Sequence, residues 1–291
     1  MEERIRKRKI VLVGTGFVGM SFAYSLLSEK GINELVLIDM NKDKAVGEQM
    51  DLSDGLPYAD SKMTIKAGEY EECGDADIVV ITAGAAQKPG QTRLELVGIN
   101  ARITKDVATQ VKNSGFKGIL VVASNPVDIM TYVAYKASGL PKEHVIGSGT
   151  ILDTARLRYN ISKRLGMAPS NVHAYILGEH GDSSFVPWIH CYLGCKNLLE
   201  YIDEEDNLTL EDLQNIYMEV RNAAYEIIDR KKATYYGIGL ALKRLVSSIT
   251  AIASVCSMTR KPSSPYPPTR MANMAEKATI SAFRLSSATT A

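Results

Sequence analysis

The chain has 291 residues, 45% hydrophobic and 23% charged, which is the composition of a globular protein with room for one large core or two cooperating ones. A formal net charge of +1 argues against nucleic-acid binding and against electrostatic adhesion to a membrane surface. Residues 1–9 are charged and lack the apolar heart of a signal peptide, and no apolar run approaches the roughly 20 residues that span a bilayer, so a cytoplasmic location is expected.

Lys9 to Val13 (KIVLV) reads as a buried strand that runs into Gly14-Thr15-Gly16-Phe17-Val18-Gly19. Residues 20–29 carry apolar positions at helical spacing, and Gly31 stops that helix. A second strand, residues 34–38, ends at Asp39. A third run, residues 77–82, leads into Ala83-Gly84-Ala85, and a fourth, 118–123, leads into Ser124-Asn125-Pro126. Strands alternating with helices predict a doubly wound parallel α/β sheet, with ligands beyond the carboxyl ends of the strands. From about Gly147 the rhythm changes: residues 151–165 read as a helix, 172–177 as a strand, and 210–230 as a long amphipathic helix. The expected organisation is a dinucleotide-binding domain over 1–148, an α+β substrate domain over 149–250, and an atypical tail over 251–291.

A GxGxxG run gains meaning only from its context, and here a strand precedes it, a helix follows, and an acid ends the next strand. Gly14 would allow the tight turn, Gly16 the approach of a pyrophosphate, and Gly19 the packing of helix on sheet, with the helix N-terminus facing the phosphates. Asp39 would accept from ribose hydroxyls and repel a 2′-phosphate, favouring NAD over NADP. The alternative is a domain of the same shape that binds no dinucleotide.

Candidate catalytic residues are inconclusive one by one. His180, in Gly178-Glu179-His180-Gly181-Asp182, is one of four histidines and is flanked by glycines, yet a lone histidine is more often structural. Asp153 and Arg156 are three apart and would share a helix face, where a surface ion pair is the ordinary reading. Arg93 follows a polar Gly/Pro stretch that reads as a mobile loop. Cys73, Cys191, Cys195 and Cys256 show no CxxC or zinc spacing; Cys191 and Cys195 lack a second ligand pair, so reduced thiols and no metal are expected.

Taken together, AGAAQKPGQTRLELV, ASNPVDIMTY, GSGTILDTARLR, GEHGDSSFVPW and KKATYYGIG resemble, in order and spacing, the NAD-dependent L-lactate dehydrogenases of the bacterial, fructose 1,6-bisphosphate-activated kind, within the lactate/malate dehydrogenase family. The resemblance covers about Arg8 to Ser248. It implies that His180 is the general acid for reduction of pyruvate to L-lactate, with Asp153 orienting its ring and favouring the imidazolium. Arg156 would bind the substrate carboxylate, Arg93 polarise the carbonyl on loop closure, Asn125 hydrogen-bond the carbonyl oxygen, and Thr234 line the pocket. Val18, Lys44, Tyr70, Gly84, Ala85 and Asn125 would join Gly14, Gly16, Gly19 and Asp39 around NAD. Gln87 stands where malate dehydrogenases carry an arginine; a neutral amide cannot pair with a second carboxylate, so pyruvate is preferred to oxaloacetate. Arg158 and His173 match the pair that binds fructose 1,6-bisphosphate across a subunit interface, which implies a homotetramer with allosteric activation at the end of fermentative glycolysis. The alternatives are malate or another 2-hydroxy-acid dehydrogenase and, from another class, a non-catalytic NAD-binding protein or an inert truncated product.

Three departures from the family pattern stand out. Gln91 occupies a position usually acidic, and Lys232 one usually glycine, where a positive φ would strain a side-chain-bearing residue. From about Ile249 the pattern stops. Residues 240–291 contain none of the 22 glycines, no Asp, and one acid, Glu276, against seven bases. Pro262, Pro265, Pro267 and Pro268 crowd a stretch, 259–268, without strand or helix periodicity. One permitted back-translation of residues 258–287, read two nucleotides later, gives DEEAVLPVSTYPDGEYGGKGDYISVPTVI, which resembles the family ending and points to a frameshift across residues 247–258. A chain without that ending is expected to fold poorly and turn over weakly, because sheet edge and core would be exposed.

Overall fold

Six short aliphatic runs build one sheet: β1 (Lys9–Val13), β2 (Glu34–Ile38), β3 (Thr64–Ala67), β4 (Ile78–Ile81), β5 (Ile119–Val122) and β6 (Val145–Gly147). Their order is β3-β2-β1-β4-β5-β6, and every neighbouring pair is parallel. The computed structural model in which they are seen describes residues 8–85, 92–202 and 208–259. Gln87 and Gln91, the side chain of Arg93, and the tail from residue 260 with its proline cluster lie outside the described residues.

β1 and β4 are buried at every position, so both faces of the sheet are covered, and the uninterrupted Val, Ile and Leu runs are the pattern such strands require. The cover comes from α1 (Phe17–Leu26), α2 (Lys42–Asp54), α3 (Arg93–Asn113) and α4 (Val127–Ser138), which alternate with the strands. Val11, Val36, Val79, Leu120, Val107, Val111 and Met130 lie in one core between sheet and helices. The order is that of the doubly wound dinucleotide-binding fold, and it reverses at β1, whose neighbours β2 and β4 lead away on opposite sides. The loops after β1 and β4 therefore leave the same sheet edge side by side.

The chain divides into two compact units. One comprises the described residues up to Ser148 with Tyr235–Val246; the other comprises Gly149–Thr234 and the described residues from Ser247 onward. In the second unit α5 (Ile151–Leu165) and α6 (Leu210–Lys231) bury Leu157, Ile161, Leu213, Ile216 and Val220 in a core shared with the antiparallel sheet β7 (Val172–His173), β8 (Tyr192–Leu193) and β9 (Lys196–Asn197). A last helix, α7, covers Tyr236–Thr259. No helix among the described residues is long and apolar enough to cross a membrane.

The secondary structure departs from the sequence expectations in three respects, and Tyr235–Val246, expected within the substrate domain, is grouped with the first unit. α1 begins at Phe17 rather than residue 20, because Gly16 is already its N-cap. β3 and β6 add edge strands that the chain's alternation did not announce. The strand expected over 172–177 keeps its alternating burial but pairs as a strand only at Val172 and His173, with Leu177 bridged singly to Phe185. Side chains of the α5 segment satisfy the backbone between. Arg158 Nε donates to Ala174 O (2.9 Å), Thr150 Oγ1 donates to Ile176 O (2.6 Å), and Ile176 N donates to Thr154 Oγ1 (3.0 Å). Polar groups that would have laddered with a strand are thereby taken.

Candidate functional site

In the first unit the glycine loop after β1 is shaped by three different constraints. Gly14 has φ of 103°, and a Cβ there would come within 2.6 Å of Ala83 N. A Cβ on Gly19 would meet Gly14 O at 2.1 Å and Thr82 Oγ1 at 2.7 Å. A Cβ on Gly16 would meet nothing within 4 Å, so the chain leaves that side of the loop open. Gly16 caps α1 with no side-chain hydrogen bond, and no acid occupies the first turn. The N-terminal N–H groups and the positive end of the helix dipole thus receive no charge compensation from the helix itself. Val18 lies half-buried in that turn.

Asp39 closes the other side. Its Oδ2 accepts from Thr15 N (2.7 Å) and Thr15 Oγ1 (2.9 Å), and its Oδ1 accepts from Asn41 N (3.0 Å). Burial alone would raise its pKa; the bonds from Asn41 and Thr15 and the charge of Lys44 outweigh burial and hold the carboxyl below its ordinary value. Lys44 Nζ also donates to Thr15 O at 2.5 Å. Tyr70 packs against the core, and burial pushes its phenol up to about 12, so it is neutral.

Beyond β4, Gly84 is exposed and Ala85 half-buried. Ala85 N donates to Asn100 Oδ1 (2.8 Å), and Asn100 Nδ2 donates to Asn125 O (2.9 Å). Asn100, 3% exposed, therefore ties the loop after β4 to the loop after β5, where Asn125 is exposed and precedes Pro126 through a cis peptide bond. Sequence reasoning missed Asn100, because one amide on an amphipathic helix looks solvated. Its signal was the apolar stripe of α3, on whose inner face it lies. Arg93 is the first residue of α3, which Thr92 and Glu95 start with a capping box.

In the second unit α5 and the loop after residue 177 bring three candidates together. His180 Nδ1 and Asp153 Oδ2 are 2.6 Å apart, and Arg156 Nη1 donates to Asp153 Oδ1 at 3.3 Å. Asp153 and Arg156 are 13% and 15% exposed at their side chains, so this i,i+3 pair is not a surface one. Burial draws the Arg156 pKa down, with Asp153 opposing, and a guanidinium so placed remains a cation. Asp153 engages Nδ1, so the ring's proton exchange falls to Nε2.

Arg158, two residues beyond Arg156, is turned by about 200° around the helix. Its guanidinium lies 4.7 Å from the Tyr175 ring centroid, and its Nε donates to Ala174 O, one residue after exposed His173. Thr234 is half-buried, two residues after the left-handed end of α6 at Lys232. Among the described residues no three His, Cys, Asp or Glu side chains gather as metal ligands would.

The model of the lactate/malate dehydrogenase NAD-binding domain matches residues 8–147, and that of the lactate/malate dehydrogenase alpha/beta C-terminal domain matches residues 150–261. The L-lactate dehydrogenase of Lactococcus lactis subsp. cremoris (strain NZ9000) is 54% identical over 246 residues, covering 84% of this chain and 78% of the relative. L-lactate dehydrogenase 2 of Enterococcus faecalis (strain ATCC 700802 / V583) is 54% identical with the same coverage. Among solved structures, a lactate dehydrogenase from a Medee basin deep-sea metagenome library superimposes with a TM-score of 0.82 at 57% identity, over 85% of this chain and 79% of its own. The minor L-lactate dehydrogenase of Enterococcus mundtii in its ligands-bound form gives 0.81 at 53% identity, over 84% and 77%.

Proposed function

This chain belongs to the lactate/malate dehydrogenase family, and we propose that it is an NAD-dependent L-lactate dehydrogenase, in which bound NADH supplies hydride to the carbonyl carbon of pyruvate. The observation that carries the reading is the His180–Asp153–Arg156 array, an imidazole and a guanidinium joined by one carboxylate in a largely buried setting.

The residues present fit the cofactor. The open side of Gly16 and the uncompensated start of α1 suit a pyrophosphate, and an ionised Asp39 suits ribose hydroxyls while opposing a 2′-phosphate. Lys44 steadies the loop at Thr15; Val18, Tyr70, Gly84, Ala85 and Asn125 complete the binding set. Arg156 holds the substrate carboxylate through its planar fork. His180 gives the Nε2 proton to the carbonyl oxygen and takes one back in the reverse reaction, while Asp153 fixes the ring tautomer and stabilises the imidazolium. Arg93 and Asn125 stabilise the developing oxyanion, and Thr234 lines the pocket. Gln87 excludes a second carboxylate.

Fructose 1,6-bisphosphate is the proposed activator, at Arg158 and His173. What supports it is the resemblance, together with the Arg158 bond to Ala174 O, one residue after His173 in the chain. The homotetramer rests on the resemblance; the first unit's cleft of about 1010 Å³, lined by exposed Phe17, Tyr24, Tyr58, Tyr236 and Leu240, suits association in general. Apolar surface of that kind marks association sites. The reaction belongs to the cytoplasmic end step of fermentative glycolysis on the strength of the resemblance. The test follows NADH absorbance with pyruvate and with oxaloacetate, with and without fructose 1,6-bisphosphate, for the parent and Gln87→Arg. Pyruvate should be strongly preferred by the parent and oxaloacetate gain in the variant. A parent that prefers oxaloacetate would refute the assignment.

A further inference from the structure

The loop that carries His180 is fastened to α6 by two side chains that play no part in the chemistry above, and we propose that Tyr217, supported by Arg221, is a positioning residue for the proton transfer. The inference rests on His180 as the general acid and concerns what keeps its ring in place.

The loop is residues 178–184. Its base is a single antiparallel bridge, with Leu177 N donating to Phe185 O (2.9 Å) and Phe185 N donating to Leu177 O (3.0 Å). Inside it one weak backbone bond runs from Ser184 N to Gly181 O at 3.3 Å. Glu179, Gly181, Asp182 and Ser183 are exposed, and Gly178 has φ of 95°. A loop with so little buried apolar contact belongs to the easily opened part of a fold.

Two contacts from α6 oppose that opening. The Tyr217 hydroxyl donates to the Ser184 carbonyl and lies 3.4 Å from Ser184 Oγ. Arg221 Nη2 donates to Asp182 Oδ1 at 3.2 Å, and its guanidinium carbon lies 5.8 Å from the Tyr217 ring centroid. Four residues apart on α6, the two side chains share a helix face and grip the loop at Asp182 and Ser184. Half-buried Tyr217 holds buried Ser184, whereas the Arg221–Asp182 pair is solvated, so Tyr217 should matter more.

His180 thus stands between two anchors in one unit: α5 holds its ring through Asp153, and α6 holds its backbone through the loop. A 2.6 Å charge-assisted contact is sensitive to displacement, so loosening the second anchor should cost ring orientation. The Arg156 grip on the substrate carboxylate does not depend on this loop. The expected signature is therefore loss of turnover without loss of substrate affinity.

The test uses the full chain and Tyr217→Phe, with Arg221→Gln as a milder second variant, read by hydrogen exchange and by NADH oxidation with pyruvate. In Tyr217→Phe the amides of 178–184 should exchange about tenfold faster while those of β1 and β4 are unchanged. Its kcat should fall about tenfold with pyruvate KM moving less than about twofold. In an Asp153→Asn background the substitution should cause no further loss of turnover, because both act through one ring. Parental loop exchange with parental kcat in Tyr217→Phe would overturn the proposal, as would a loss fully additive to that of Asp153→Asn. If the parent does not reduce pyruvate but the variant's loop exchanges faster, the reading of the reaction falls and the fastening of the loop by Tyr217 stands.

Discussion

Replacing Lys232 by glycine should stabilise the protein, although it deletes a hydrogen bond. Lys232 ends α6 with φ of 67° and ψ of −5°, and it is the one non-glycine residue at positive φ among the described residues. A side-chain-bearing L-residue in that region costs about 1–2 kcal/mol against its preferred conformations, and glycine does not. Glycine loses about 0.5–1 kcal/mol more backbone entropy on folding, which offsets part of the gain. The bond from Lys232 Nζ to Asp229 O (2.7 Å) lies at an exposed site where water replaces it, so its loss adds little. The backbone bond from Lys232 N to Ile228 O (2.8 Å) is retained. The net expectation is a gain of about 0.5–1 kcal/mol, or roughly 1–4 °C in Tm for a protein of this size. Thermal unfolding of the parent, Lys232→Gly and Lys232→Ala measures it. Alanine keeps the Cβ and loses the amine, so it should melt at or slightly below the parent. If glycine and alanine shift Tm alike, backbone strain at this position is not the cause and the reasoning fails.

Other expectations follow from the same geometry. Gly19→Ala places a methyl 2.1 Å from Gly14 O, so it should both lower Tm and abolish NADH binding in a fluorescence titration. Gly16→Ala meets no atom within 4 Å and should melt like the parent while binding NADH more weakly; equal effects of the two variants would refute the separation of roles. At the opposite edge of the sheet, buried Lys9 bonds Glu72 (2.5 Å) and Asp75 (2.6 Å). The bond from Lys9 holds both carboxyls below their ordinary range. Burial would lower Lys9, but the bonds to Asp75 and Glu72 outweigh it and raise it. Depressed carboxyl pKa values give stability that is present above the unfolded carboxyl pKa, near 4, and lost as pH falls through the folded values. The raised lysine gives stability that is complete below its unfolded pKa and lost as pH rises through the folded one. Urea unfolding of the parent and Lys9→Met should therefore differ most at neutral pH and converge in strong acid, and a constant difference between pH 7 and 2 would contradict this.

Much of the first unit was legible because its signals are local. β1 and β2 have the bounds that their apolar runs suggest, since strands buried on both faces tolerate no polar interruption. α5 does too, because Leu157 and Ile161 repeat at helical spacing and Gly166, at φ of 66°, ends it. Edge strands β3 and β6 escaped notice: β3 has polar Thr64 and Lys66 among its four residues and β6 has only three, all half-buried, so neither carries a period to read. The break of the expected strand at 174–176 was illegible for a different reason. It depends on Thr150, Thr154 and Arg158 reaching in from the α5 segment, a long-range competition for backbone groups that no local pattern announces. The site divides in the same way. Gly14, Gly16, Gly19 and Asp39 sit in one spaced motif, whereas the His180–Asp153 contact joins residues 27 apart and was visible only through resemblance. Asn100 and Tyr217, which hold the loops, had no motif at all.

The most direct measurement is pyruvate-dependent oxidation of NADH by two purified proteins: the chain as written, and a chain carrying the alternative-frame ending DEEAVLPVSTYPDGEYGGKGDYISVPTVI. The second should turn over, stimulated by fructose 1,6-bisphosphate, and the first much more weakly. Equal turnover in both would contradict the expectation about the ending. Absence of turnover in both, with NADH bound, would contradict the assignment of His180, Asp153 and Arg156 to pyruvate reduction.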